Sequence, residues 1–280
     1  MIRSKWVAFF LFVWVASTPL FYSEASAEVS EWRAPWKKKK KKKIKAPQSL
    51  AMDPVVREEP VEGMSASVII PCVAKHFSCL RPLLQAYEDQ TEPPDEVIVS
   101  LSESELVAPL DILALEAEPW SFDLTILQQE GKQSAGFNRN AAAEEATGDI
   151  ILCQDADDWP HPQRVEIVKY FFKYYEIDHL MHQWKWEEEE FPTYRDPAII
   201  PISRYESYDA VKQDLPTRGI QVHNGNACMA RHVVDNILWN EEFISYQDVL
   251  FSEDVYRQYK NNVILEATLL TYRQYLSSFQ

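Results

Sequence analysis

Periodicity places this chain in the α/β class, as a mainly parallel sheet covered by helices on both faces. Three observations carry that prediction. Between Ser65 and Tyr175, short apolar runs alternate with longer segments whose apolar residues recur at helical spacing. The runs are continuously apolar, as strands buried on both faces are. The composition, 46% hydrophobic and 12% aromatic over 280 residues, can supply the core that a layered fold buries.

The elements follow in order. Ser67–Cys72 reads as a first strand, and Phe77–Asp89 as a helix with Leu80, Leu83, Leu84 and Tyr87 on one face. Glu96–Leu101 is the second strand. Glu103–Glu118 is the next helix, interrupted or started late at Pro109. Phe122–Gln128 is a third strand, followed by an Ala-rich helix, Ser134–Ala146, with Gly148 placed to end it. Asp149–Cys153 is the fourth strand, and a helix runs from Pro162 to Tyr175. After Ile177 the pattern turns to shorter strands and loops, a less regular second half.

Ahead of this body lies a leader of different character. Arg3 and Lys5 precede the apolar run Trp6–Ala16, and Ala25-Ser26-Ala27 is a small-x-small site. Residues 1–27 therefore read as a secretory signal peptide or as a retained signal anchor. Residues 28–63 read as a basic, low-complexity linker, with Lys37–Lys43 able to meet an anionic membrane surface. Residues 64–280 form the remaining domain. This organisation predicts membrane association or entry to the secretory pathway.

Charge divides at the same border. Up to Glu62 there are 12 Lys and Arg against 7 Asp and Glu; the rest of the chain holds 16 against 36. So acidic a body argues against a nucleic-acid partner, whose phosphates need clustered Lys and Arg. An anionic small substrate stays compatible if a metal ion supplies positive charge locally. Cys72, Cys79, Cys153 and Cys228 show no metal-ligand spacing, and three of them sit in or beside apolar runs, where a small buried hydrophobe is the default.

In an open α/β sheet, ligands bind beyond the C-terminal ends of the strands. The most acidic such position is Asp155-Ala156-Asp157-Asp158, after the apolar Ile150-Ile151-Leu152. Carboxylates this close repel unless solvated or bound to a cation, and hard divalent ions share oxygen ligands with substrate phosphates. On spacing alone, an exposed acidic turn capping the next helix is the simpler reading.

The surroundings add a family likeness. Ala66–Pro71, Asp95–Val99, Gly131-Lys132 with Ala135 and Arg139-Asn140, Ala146–Asp149 and the D-x-D strand occur in an order and approximate spacing that resemble the nucleotide-binding half of a glycosyltransferase family 2 domain, of GT-A fold. Gly225-Asn226-Ala227 before Arg231 resembles its acceptor-side segment, and Ser252–Val255 with Arg257 its E-D motif. The likeness spans about residues 66–260. It implies an inverting, metal-dependent hexosyltransferase-type enzyme that takes a nucleotide-diphosphate sugar as donor and a carbohydrate or glycoconjugate hydroxyl as acceptor. By the same likeness Asp155 and Asp157 would hold Mn²⁺ or Mg²⁺ against the diphosphate, which stabilises the charge on a departing dianion. Arg139, Lys132 and Asp155 would face the donor. Asp254 would be the base that takes the acceptor proton, supported by Glu253.

Departures accompany it. Where the family carries an acidic pair after the second strand, this chain reads Leu101-Ser102-Glu103-Ser104, leaving Glu103 to meet the nucleoside. No Q-x-x-R-W follows the E-D motif, which argues against a processive synthase. A non-catalytic domain of the same fold, binding carbohydrate or a protein, is the alternative that the missing pair suggests. Trp159, Trp184, Trp186 and Trp239 offer flat faces for sugar rings, and His223 is placed to line the acceptor side. His179 and His182 fall on opposite faces of a strand, so they make no zinc pair.

Overall fold

Nine strands form one sheet in the computed structural model, which describes residues 50–187, 189–243 and 246–273. The leader 1–27, the lysine run and the side chain of His223 lie outside the described residues. Among the described residues, no helix is long and apolar enough to cross a membrane.

The strands are β1 (Ala66–Val73), β2 (Glu96–Ser102), β3 (Asp123–Gln129), β4 (Ile150–Cys153), β5 (Trp159–Pro160), β6 (His179–Trp186), β7 (Ile202–Tyr205), β8 (Val222–Ala230) and β9 (Asn262–Tyr272). The helices are α1 (Phe77–Glu88), α2 (Pro109–Glu116), α3 (Ala135–Glu145), α4 (Arg164–Tyr174), α5 (Tyr208–Arg218), α6 (Arg231–Val234) and α7 (Gln247–Gln258). Spatial order is β3-β2-β1-β4-β8-β6-β9-β5, with β7 beside β9. The first four strands are mutually parallel, as their unbroken apolar runs predict. From β8 onward the sheet is mixed.

Pro71 lies inside β1 yet breaks no ladder. The last β1–β4 pair is Ile69↔Cys153, and Pro71 falls beyond it, where β4 has already turned into the acidic loop. Two apolar layers cover the sheet. One takes Leu80, Leu83, Leu84 and Tyr87 of α1 with Val165, Val168 and Phe172 of α4. The other takes Ala142 and Ala143 of α3 with Val211, Val233 and Phe251 from the later helices.

Four sequence expectations are corrected. The helix expected over Glu103–Glu118 is a 3₁₀ turn at Ser104–Leu106 and then α2, which starts at Pro109, where a missing N–H costs nothing. Gly148 does not cap α3 in a left-handed conformation: Ala146 ends the helix in extended geometry. It is small because a Cβ there would lie 2.5 Å from Ser67 Oγ and 2.8 Å from Ser67 N. The second half is more regular than predicted, with β9 running 11 residues and α7 12. Bulges in β6–β9 break the period that would have revealed it. Lastly, the described end of the expected linker is strapped to the domain. Met52 pairs with Arg204 and Val56 with Tyr175, while Arg57 N and Val61 N donate to Tyr174 O and Lys173 O at 2.9 and 3.1 Å.

Candidate functional site

The site forms where β1, β2 and β4 end. β4 leaves the sheet at Cys153, and the next residues turn back through Asp155, Asp157 and Asp158 into the two-residue strand β5. Gln154, fully buried, is the tie that shapes this turn. Its Nε2 donates to Asp155 O at 2.8 Å and to Asp158 O at 3.2 Å. Gln154 Oε1 in turn accepts from Tyr87 Oη at 2.8 Å and from Arg164 Nη1 at 2.7 Å. Arg164 is wholly buried, and also donates to Cys153 O at 2.7 Å and to His182 Nε2 at 3.1 Å. A guanidinium out of solvent thus holds the acidic turn through neutral partners. His182 stays neutral beside it, its pKa driven well down by burial and then by the Arg164 charge.

The carboxylates themselves are electrostatically strained. Burial, and then Asp155, push Asp158 up to about 8. The same two causes, in that order, raise Asp157, against the opposing pull of His76 and Lys75 after β1. Asp158 Oδ1 accepts from Arg273 N at 3.0 Å, but its buried Oδ2 has no partner. Negative charge gathered in a partly dry turn is relieved by an arriving cation.

Arg139 supplies one such charge from the protein. Ser134 caps α3 by accepting from Phe137 N at 3.1 Å, which aims the first turn of the helix at the turn after β4. Arg139 Nη2 then meets Asp155 Oδ1 at 2.7 Å, with the two side chains 9% and 24% exposed. Burial works against the Arg139 charge, but Asp155, with smaller help from Asp248, leaves its pKa raised.

Asp248 is the residue that sequence reasoning missed. It sits in the first turn of α7, whose start packs on α3 at Gly136: a Cβ there would fall 2.3 Å from Asn240 O and 2.5 Å from Gln247 Oε1. Only glycine permits that approach. The signal for Asp248 was present, since Gln247-Asp248 is an amide-acid pair at a helix start, but the nearby Glu253-Asp254 matches an E-D spelling better.

Asp254 and Glu253 are not brought to the acidic turn. Asp254 lies about 9 Å further along α7 than Asp248, ion-paired with Arg257, and 53% exposed. It borders a surface depression with Asn236 and Leu238. Glu253 pairs with Lys212 at 3.1 Å and lines a different depression with Tyr208 and Lys260. Both belong to the solvated side of the helix.

At the far end of the site, Leu101 is buried in the core, while Ser102, Asn138 and Ser100 are joined by hydrogen bonds of 3.2 and 3.0 Å. These residues place no carboxylate where an acidic pair would stand. Glu103 remains, half-buried, in the left-handed conformation (φ 56°), with its N–H on Gly131 O at 2.7 Å. Such strain in a non-glycine residue collects at working sites. Lys132 is exposed on the following turn. Trp159 lies beside the acidic turn under Arg273, whose guanidinium carbon is 5.8 Å from the ring centroid; Trp239 instead stacks on Phe251 in the core.

His76, Asp158, Asn226 and Gln247 all present buried polar atoms without a hydrogen-bond partner. Each lies on a segment bordering this region: after β1, after β4, on β8 and at the start of α7. Unsatisfied polar groups in a native fold call for an explanation, and a polar ligand is one. The donors facing the turn are hard oxygens, which suit Mg²⁺ or Mn²⁺. Among the described residues no three His, Cys, Asp or Glu side chains converge on one metal position. The fit is therefore to an ion that takes one or two carboxylates and completes its shell from a bound phosphate.

Comparison with known proteins agrees with this geometry. Residues 67–237, well over half of the chain, match the profile described as Glycosyl transferase family 2. No curated protein matches the chain in sequence. Among solved structures, Staphylococcus aureus TarS 1-349 in complex with UDP-GlcNAc is 20% identical with a TM-score of 0.56, over 76% of this chain and 59% of that one. The TarS complex with UDP gives 19% and 0.55, over 77% and 62%. The chain thus spans about 60% of the length of these TarS structures. Mannosyltransferase PcManGT from Pyrobaculum calidifontis, in complex with GDP-Man and Mn²⁺, is 16% identical with a TM-score of 0.50, over 78% and 58%. These likenesses show the GT-A fold. By its profile match and its sheet, the chain belongs to glycosyl transferase family 2.

Proposed function

We propose that this glycosyltransferase moves a sugar from a nucleoside diphosphate to a hydroxyl acceptor, with inversion, and that a divalent cation assists. The observation that carries the reading is the packing of the start of α7 on α3 at Gly136, which brings Asp248 within the electrostatic reach of Arg139, itself ion-paired with Asp155 of the acidic turn. Asp157 and Asp155 would hold the cation, which, when bound, neutralises charge developing on the departing diphosphate. Arg139 orients Asp155 through their ion pair. Asp248 takes the proton from the acceptor hydroxyl as that oxygen attacks the anomeric carbon. One base on the face opposite the leaving group gives a single displacement, hence inversion. Glu103 is the acid nearest the nucleoside end. UDP and GDP-Man bound to the TarS and PcManGT structures support a nucleoside-diphosphate donor here. We place the leader at a membrane surface, with Lys37–Lys43 on anionic lipid.

Full-chain protein tests this directly. UDP or GDP should raise the unfolding midpoint more with Mn²⁺ than without, and Asp157→Asn should abolish the Mn²⁺-dependent part. Asp248→Asn should keep nucleotide binding but lose transfer by ~10²–10⁴-fold, as removal of a general base does, whereas Asp254→Asn should retain it. No nucleoside diphosphate binding under any metal condition would overturn the reading.

A further inference from the structure

Beyond the donor turn, β6 and β9 end together in an aromatic cluster that none of the chemistry above uses. Trp184 and Trp186 stand two residues apart on β6 and so share one side of the strand. Their rings meet edge to face, with centroids 4.9 Å apart. Tyr272, opposite Trp186 in the β6–β9 register, lies 5.5 Å from Trp186 and 5.4 Å from Trp184. All three side chains are half-buried, so each keeps an accessible part.

The β9 end that carries Tyr272 is bonded to the acidic turn: Thr271 pairs with Trp159, and Arg273 N donates to Asp158 Oδ1 at 3.0 Å. The β6–β9 register slips on both sides of Gln183, where Glu266, Ala267 and Leu269 are interposed on β9. Bulges of this kind re-aim the side chains that follow them, here Trp184, Trp186 and Tyr272. The Tyr272 hydroxyl also lies within the field of the acidic turn. Burial and then Asp158, Asp157 and Asp155 raise its pKa. Asp155 thus pairs with Arg139, while the β9 end that carries Tyr272 is bonded to Asp158 of the same turn.

We propose that Trp184, Trp186 and Tyr272 form the acceptor subsite, and that it stacks an uncharged sugar ring. The inference rests on the glycosyltransferase reading above. Aromatic faces are weakly negative and attract the polarised C–H bonds on one side of a pyranose. The rim excludes an anionic acceptor: Glu187, Glu189 and Glu190 are exposed there. The nearby cations are engaged elsewhere. Arg273 Nε binds Glu187 at 3.1 Å. Lys185 is buried, donates to Trp186 O at 3.3 Å and lies 4.3 Å from the Phe191 ring centroid.

Calorimetric titration of the full chain, without donor, tests it. The probes are maltotriose, mannotriose, cellotriose and chitotriose, set against 3-phosphoglycerate and ribitol 5-phosphate. At least one neutral trisaccharide should bind. Trp186→Ala should weaken it about 10–100-fold, as loss of a central aromatic anchor does, and Trp186→Leu, which keeps the apolar bulk of the strand, should weaken it comparably. UDP affinity should be unchanged in both variants. Binding of the phosphorylated probes alone, equal sugar affinity in the variants, or no neutral sugar bound would overturn the subsite. Sugar binding that depends on Trp186 in a protein that binds no nucleoside diphosphate would uphold the subsite and instead sink the enzyme reading.

Discussion

Arg164 shows how much of the site is set by one residue that never touches it. Four hydrogen bonds hold its buried guanidinium, and they lead through Gln154 to the backbone of Asp155 and Asp158. Replacing it by Met keeps the volume but strands Cys153 O and His182 Nε2. At about 1–3 kcal/mol for each of these two buried groups left unpaired, Arg164→Met should lower stability by about 2–6 kcal/mol in urea unfolding. A second readout separates positioning from folding. In the folded variant, Mn²⁺ affinity measured with UDP present should fall about tenfold or more, as loss of an outer-shell partner does. The acidic residues of the turn were legible from sequence because D-x-D after an apolar strand is a local pattern. Arg164 was not, because its partners come from α1, β4 and β6.

At the scale of elements, the contact between α3 and α7 decides whether Asp248 reaches the site. Gly136 is its closest point, with Asn240 O and Gln247 Oε1 where a methyl group would go. Gly136→Ala should therefore push the start of α7 outward. We expect a loss of roughly 1–3 kcal/mol from overpacking and about a hundredfold fall in transfer rate, the cost of a displacement near 1 Å. Nucleotide affinity, measured by calorimetry, should change far less. Sequence order conceals this contact, since 111 positions separate Gly136 from Gln247. What could be read was the helix itself. The α7 segment reads as acidic and functional, but which of its carboxylates faces α3 is not readable, because facing can be judged only when the helix has a neighbour.

For the whole molecule, the parallel half was legible and the mixed half was not. β1 to β4 are short, apolar and separated by helices with clear periodicity; β6, β8 and β9 bend, bulge and bury polar residues. His179 on β6 is one of these, wholly buried, without a partner for either ring nitrogen, and brought down to about 4 by burial. The native state keeps it neutral, while the unfolded chain protonates near 6.5. Stability is therefore full above pH 6.5 and falls as the pH drops toward 4, by roughly 3 kcal/mol at most for this residue. His182, displaced the same way, adds to the slope. His179→Leu should flatten that dependence when urea midpoints are compared at pH 7.5 and 5.

The sheet order also has a mechanical meaning. β4 joins the parallel half to the mixed half through three residue pairs with β8: Ile150↔Ala230, Ile151↔Met229 and Leu152↔Cys228. The groups assigned to the donor hang from one side of that seam or from its end, and the aromatic cluster hangs from strands on the other. The acidic turn at the end of that seam is nevertheless tied to the mixed half, because Trp159 pairs with Thr271 and Arg273 N donates to Asp158 Oδ1 at 3.0 Å. A change of twist along the short seam would therefore carry the acidic turn and the aromatic cluster together, so their spacing is set by the β5–β9 contact and not by the seam.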